Sequence, residues 1–225
     1  VKRQWLVRLL FGLMVITGLF SVLTPLEYVR GKSMAPTLQP GQWLIVANYR
    51  VLRHVGLKVH RGDIVTFENQ GKVANLASTR QLVKRVVGAP RDLLGISQTT
   101  VYRNSKPLKE PYVKHPMNNA QYQYDGRTDG GQPFTSPSYQ RAEYLTRDQY
   151  FVLGDNRPAS ADSRWFGPVA GKQMTGIVLA KLPIRRSGLL ETTLWVGLHL
   201  LPMVLVLAWF GVASWPDLKG MLKRG

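Results

Sequence analysis

Charged and apolar residues are unevenly spread along this chain, and their distribution divides it into three. From Leu9 to Thr24 there is no charge, and Pro25 closes the run. This is slightly short of the ~20 residues that a spanning helix needs, but Trp5–Val7 extend it if Arg8 reaches back to the interface. A second uncharged run, Thr192–Ser214, is long enough by itself, with Trp195 and Trp215 near its ends as an aromatic belt would place them. His199 and Pro202 within it are tolerable against a neighbouring helix. The pattern predicts an N-terminal end and transmembrane helix over 1–25, a second transmembrane helix over 188–215 and a tail over 216–225. Lys2, Arg3 and Arg8 before the first run, with Lys219, Lys223 and Arg224 after the second, put both ends inside and the middle outside. Lys181, Arg185 and Arg186 run against that count and suit contact with anionic lipid head groups. A cleaved leader is the rival for the first run; no small-x-small pattern precedes Pro25, which favours a retained anchor.

The middle segment, 26–187, reads as short strands punctuated by turns. Gln42–Asn48 has the apolar density of a buried strand, with Trp43 in the core. Arg61–Asn69 is a turn and a strand. Gln81–Val87 is a strand followed by the turn Gly88-Ala89-Pro90-Arg91-Asp92, and Leu93–Arg103 adds one or two more. Gln149–Leu153 and Lys172–Leu182 complete the set. Many short strands with Gly/Pro turns predict a mainly β fold, an antiparallel barrel or sandwich. Residues 104–148 are rich in Pro, Asn, Gln, Gly and Tyr and read as an irregular insertion, whose tyrosines pack on the core or cover a groove.

Composition narrows the chemistry. The 225 residues contain no cysteine, which removes thiol catalysis, disulfides and Cys-based zinc sites. Thirty Lys and Arg against thirteen Asp and Glu give a net charge of +17 and call for an anionic partner. The two apolar runs favour anionic membrane lipid over nucleic acid. No phosphate-binding glycine motif occurs, and the four histidines lack metal-ligand spacing, so neither a cofactor nor a metal is expected. Nothing in the sequence bears on oligomeric state.

The stretch Arg30–Gly41 offers a candidate nucleophile. Ser33 has Gly31 two residues before it, where the backbone is free to approach closely or take a positive φ, and Pro36 three after, which turns Ala35 away from helix. Such a stiff, non-helical segment leaves the Ser33 N–H free to face an oxyanion. With no cysteine and no plausible histidine, the base would be a lysine whose pKa is lowered by burial. Lys84 lies in an apolar strand, where alternation sets Leu82, Lys84 and Val86 on one face and Val83, Arg85 and Val87 on the other. Either Lys84 or Arg85 must then share an apolar face. Taken singly, each residue also has an ordinary reading: a turn serine, or a lysine on a solvated face.

Four segments together weigh against those ordinary readings. Ser33-Met34-Ala35-Pro36-Thr37-Leu38, Gly62-Asp63-Ile64-Val65, Lys84-Arg85-Val86-Val87-Gly88-Ala89-Pro90 and Gly154-Asp155-Asn156-Arg157 with Ser160-Ala161-Asp162-Ser163-Arg164-Trp165-Phe166-Gly167 resemble, in order, the boxes of bacterial type I signal peptidases. The resemblance covers Trp5–Leu182; its first and last boxes are the specific ones. It implies a mainly β, membrane-bound serine endopeptidase that cuts secretory pre-proteins after small residues of the Ala-x-Ala kind, at the plasma membrane or the thylakoid. It also implies roles: Ser33 as nucleophile and backbone oxyanion donor, Lys84 as general base, Ser160 orienting the amine, Asp162 and Arg164 paired, and Asp155 and Arg85 in support.

Two positions depart from the pattern. Gly31 stands where some members carry a hydroxyl donor to the oxyanion, so a second donor is unassigned. Arg91 stands where the usual turn has glycine. The rival readings are another Ser–Lys processing peptidase, of the conjugation or self-cleaving repressor type, and a non-catalytic basic β scaffold on lipid.

Overall fold

The computed structural model describes residues 2–69, 81–96, 100–115, 143–185, 193, 197, 201–210 and 212. These divide into two units, Val1–Pro25 with Ile184–Gly225, and Leu26–Pro183.

In the first unit, helix α1 runs Lys2–Leu23. Its window Gln4–Leu23 is long and apolar enough to cross a membrane, the only such helix among the described residues. Trp5, Phe11, Ile16 and Phe20 are exposed around it, as on a helix that needs an apolar solvent. Its hydroxyls turn inward: Thr17 Oγ1 donates to Leu13 O at 2.8 Å and Thr24 Oγ1 to Phe20 O at 2.7 Å. The helix therefore begins well before Leu9 and stops just ahead of Pro25. Of the second predicted span, the apolar helix Leu201–Phe210 is described, and its Trp209 ring lies 6.0 Å from Phe11. The rest of that span is largely outside the described residues, and the tail 216–225 is wholly so.

The second unit is mainly β, as the alternation predicts. One seven-stranded antiparallel sheet has strands β1 (Leu26–Tyr28), β2 (Gln42–Asn48), β3 (Ile64–Glu68), β4 (Gln81–Gly88), β9 (Gln149–Leu153), β10 (Val169–Ala170) and β11 (Met174–Arg185), in the order β1-β2-β11-β3-β4-β9-β10. A second sheet, β7-β6-β5-β8, is built from β5 (Leu93–Ile96), β6 (Val101–Arg103), β7 (Lys106–Pro107) and β8 (Glu143–Tyr144). Three apolar clusters fill the interior. One gathers Phe67, Leu82, Val86, Val152 and Met174; a second joins Val87, Leu94, Phe151 and Leu153; a third holds Val29, Met34, Leu38, Leu44 and Val46.

Sequence reading missed β1, the short helix α2 (Tyr49–Leu52) and the helix α3 (Ser163–Phe166), all too brief to show a period. The irregular insertion needs correction at both ends. Asn104 and Ser105, both at positive φ, make a tight hairpin turn that folds β7 back on β6. After the excursion β8 pairs with β5, and Leu145 is fully buried. Residues 116–142 lie outside the described residues, and with them Tyr122, Tyr124 and Tyr139.

The turn after β4 explains the departure at Arg91. Asp92 N donates to Ala89 O at 3.0 Å, Pro90 is the first central residue and Arg91 the second, with φ of 72°. That is the type II geometry, which favours glycine at the second position. The Asp92 carboxylate holds the turn, accepting from Ala89 N, Asn104 Nδ2 and, bidentately, Arg61. Arg91→Gly is expected to relieve the strain and raise stability by about 0.5–1 kcal/mol, read as an upward shift in thermal unfolding with activity unchanged.

Candidate active site

Ser33 sits in a loop whose ends are tied together: Val29 N donates to Gln42 O at 2.9 Å and Gly41 N to Val29 O at 2.7 Å. Met34 and Leu38 sink into the third apolar cluster and anchor the loop. Ala35–Pro36 is a cis peptide, and Ser33 lies on turns, outside any helix. Among the described residues no group of the protein accepts from the Ser33 N–H, which leaves it free for an incoming oxygen. Gly31 plays neither part expected of it. Its φ is not positive and a Cβ there would meet open space.

β4 runs through the middle of the large sheet, between β3 and β9, with Val65 opposite Lys84 and Leu153 opposite Arg85. Along β4 Leu82, Lys84 and Val86 are buried, as are Val87 and Gly88 at its end, while Val83 and Arg85 are half-buried and Gln81 is exposed. Lys84 therefore occupies the apolar face, and only 3% of it is exposed. Its Nζ lies 2.8 Å from Ser33 Oγ and donates to Val83 O at 2.9 Å. Burial pushes its pKa down to about 8; Asp162 and Asp155 pull it up, Arg164 pushes it down, and burial dominates.

β9 ends at the Leu153–Arg85 pair, so Gly154 and the last box emerge beside Lys84. Asn156 N donates to Ser33 O at 3.0 Å and Asn156 Nδ2 to Lys32 O at 3.2 Å, so one residue holds the serine loop twice. Gly154 is the tightest point: a Cβ on it would stand 2.2 Å from Ser160 Oγ and 2.5 Å from Ser33 O. Ser160 Oγ is buried and makes no well-formed hydrogen bond among the described residues; it faces the Asp162 carboxylate, whose charged form it helps to stabilise. The expected contact from Ser160 to the lysine amine is not formed here, where Nζ donates to Ser33 Oγ and Val83 O.

Asp162 binds the box together. It caps α3 by accepting from Arg164 N and accepts from Gly154 N at 3.0 Å. It also takes a bidentate pair from Arg164, at 2.8 and 2.9 Å. Burial works to raise its pKa; the Arg164 guanidinium and the Gly154 N–H overcome that and hold it below the usual carboxylate range. Arg164 also reaches the carbonyls of Arg157 and Ser160. Asp155 takes a bidentate pair from Arg85, at 2.9 and 2.7 Å, and Arg85 donates in addition to Gly62 O. Gly62, at φ 93°, makes the turn that docks on β4, donating to Val86 O. Ser163 Oγ accepts from Val152 N, and Phe166 packs at a tilt against Phe67 with ring centroids 6.0 Å apart, which fastens α3 to the core. All seven side chains named from the sequence thus gather on β4, on the serine loop and around α3. Among the described residues no cluster of three or more His, Asp or Glu could hold a metal ion.

A serine hydroxyl against a dry lysine amine, with a free backbone N–H beside it, is an arrangement able to activate a nucleophile. A family model described as signal peptidase, peptidase S26, matches residues 2–182. The chain belongs to that peptidase family. It is 32% identical to signal peptidase I V of Bacillus subtilis strain 168 over 151 residues, 67% of this chain and 80% of that protein. It is 31% identical to signal peptidase IB of Staphylococcus aureus over 179 residues, 78% of this chain and 86% of that protein. A crystal structure of a signal peptidase I from Enterococcus faecalis V583 aligns at 29% identity with a TM-score of 0.37, covering 54% of this chain and 97% of that one.

Functional positions that no sequence argument singled out are Gly154 and Asn156, which fix the serine loop, and Ser163, which ties α3 to β9. All three lie inside the last box, but neither periodicity nor charge marks them. Gly154→Ala is expected to lower peptidase activity about 100-fold or more by driving Ser33 and Ser160 apart, whereas Gly31→Ala, facing open space, should stay within a few-fold of wild type. Steady-state cleavage by both purified variants checks the contrast.

Proposed function

We propose that this peptidase removes signal peptides from secretory pre-proteins by a Ser–Lys acyl-enzyme mechanism. The observation that carries the reading is the 2.8 Å contact between Ser33 Oγ and an amine only 3% exposed. A lysine in water is protonated at neutral pH and cannot act as a base; burial supplies a neutral fraction. Neutral Lys84 takes the Ser33 hydroxyl proton as Oγ attacks the scissile carbonyl carbon. The Ser33 N–H donates to the oxyanion. The Lys84 ammonium then gives its proton to the leaving amine, which departs as the N-terminus of the mature protein. Lys84 next takes a proton from water, whose oxygen attacks the acyl carbon, and returns that proton to Ser33 Oγ as the signal peptide leaves.

Ser160 supplies the further hydroxyl that orients the amine once Ser33 Oγ is acylated and becomes a poorer acceptor. Asp162 with Arg164, and Asp155 with Arg85, keep the last box in shape. The substrate binds extended, as an added strand, and shallow pockets admit the small residues of an Ala-x-Ala site. Its apolar segment shares the bilayer with α1 and with a second span over 188–215, which raises the effective concentration of site and substrate. The catalytic unit faces the outer side of the plasma membrane, or the equivalent face of the thylakoid, with its basic surface against anionic lipid. The short Ser–Lys contact favours this reading over a scaffold.

The test is cleavage of a pre-protein bearing an Ala-x-Ala site, in detergent or lipid, by wild type, Ser33→Ala and Lys84→Met. Both variants should fold and be inactive; activity retained by folded Lys84→Met would remove lysine as the base. For wild type, kcat/KM should climb with an apparent pKa near 8, because the active form is the neutral amine. Stability carries the same sign. The folded pKa lies below the unfolded value of about 10.4, so the unfolded chain binds the extra proton between those limits, and stability rises with pH from about 8 to about 10. Lys84→Met should abolish that rise and be more stable than wild type at pH 7, by roughly 1–3 kcal/mol, as read by thermal unfolding across pH.

A further inference from the structure

The last box is clamped from a direction none of the four motifs occupies. Leaving β7, the chain turns at Glu110–Val113, where Val113 N donates to Glu110 O at 3.0 Å. Glu110 takes a bidentate pair from Arg157, Oε2 from Nη1 at 2.9 Å and Oε1 from Nη2 at 2.5 Å. Arg157 is 1% exposed, and its Nε donates to Gly154 O at 3.0 Å. Two residues on, Tyr112 Oη donates to Glu110 Oε1 at 2.9 Å, and its ring lies 4.1 Å from the Arg85 guanidinium carbon. Burial and the Glu110 carboxylate push the phenol's pKa up, so it stays a donor throughout the working range. Glu110 and Tyr112 thus grip the two arginines that hold the start of Gly154–Arg157: Arg157 through the Gly154 carbonyl, Arg85 through Asp155. That four-residue segment carries the Asn156 N–H on Ser33 O and the glycine wedged between Ser33 and Ser160.

We infer that Glu110 and Tyr112 are positioning residues for the peptidase reaction, acting through Arg157 and Arg85 to press the Gly154–Arg157 segment onto Ser33 and keep the Lys84 pocket dry. The inference rests on the Ser–Lys reading above and deepens it. Glu110 removal leaves the buried Arg157 cation without its bidentate carboxylate, an arrangement that relaxes by drawing in water or moving the segment. Either change reaches Lys84, whose charged surroundings are Asp162, Asp155 and Arg164, all on or beside the segment. A clamp of this kind therefore affects the base as well as the fold.

The experiment uses the full chain in detergent and compares wild type, Glu110→Ala, Glu110→Gln, Tyr112→Leu and Arg61→Ala. Arg61 makes a comparable bidentate pair with Asp92, but at the turn after β4. Measured for each are kcat and KM for a pre-protein, the pH profile and thermal unfolding. Glu110→Ala and Tyr112→Leu should lose about 10- to 100-fold in kcat with KM nearly unchanged, and the ascending limb near pH 8 should move alkaline. Arg61→Ala should lower the unfolding temperature and leave the limb in place. Should Glu110→Ala fail to fold, the isosteric Glu110→Gln must show the same displaced limb. A folded Glu110 variant with unchanged kcat and limb overturns the inference, as does a loss that matches Arg61→Ala with the limb unmoved. Wild type that cleaves no pre-protein overturns the Ser–Lys reading first and the clamp with it, an outcome distinct from active wild type with indifferent variants.

Discussion

Everything around Ser33 is arranged to leave one lysine amine buried and poorly compensated. An ammonium taken out of water finds a carboxylate if one is free to move to it, and two acidic groups, Asp162 and Asp155, lie near. Each is committed elsewhere by a bidentate arginine, Asp162 to Arg164 and Asp155 to Arg85. The fork geometry of guanidinium occupies both carboxylate oxygens, and arginine keeps its charge at any working pH, so the commitment does not lapse. The acids still pull the Lys84 pKa upward, but from outside direct contact, and desolvation wins. Ion pairs of this kind add little net stability. Their consequence here is electrostatic isolation of the Lys84 amine, which burial pushes towards its neutral form.

Much of this was legible in the sequence, and the parts that were not have identifiable causes. Alternation along Gln81–Gly88 narrowed the buried cation to Lys84 or Arg85; it could not decide, because that depends on which face meets Leu82 and Val86 in the core. Ser33 was legible through its fixed neighbours, yet the weight placed on Gly31 was misplaced. The glycine with a steric duty is Gly154, on the far side of the serine loop, and only a contact 121 residues away in sequence reveals it. Arg91 was read correctly as a turn departure, since Pro90 announces the turn type and the positive φ follows. Glu110 and Tyr112 left no trace in a stretch of mixed Pro, Lys and Tyr without period. Nor did α3, four residues long and defined by its cap instead of a repeat.

The polar groups outside the site show by contrast where the fold accepts cost. Asp92 has a donor for each demand made on it, and Thr66 meets Thr175 across buried strands at 2.9 Å. Around Ser33 the opposite holds: among the described residues there is a buried Ser160 hydroxyl with no well-formed hydrogen bond, a Ser33 backbone N–H without an acceptor, and a lysine whose charged form is penalised. Each of these would be relieved by collapse of the serine loop onto β9, and Gly154 is where collapse would occur. What prevents it is geometric. The serine loop is fastened by Met34 and Leu38 in one cluster, and the last box by Phe166 and Val152 in another. Arg85 and Arg157 tie the Gly154–Arg157 segment to the elements around it. These groups are thus held apart by apolar packing on both sides, which is the condition under which a free N–H, a buried hydroxyl and an amine biased towards its neutral form stay side by side.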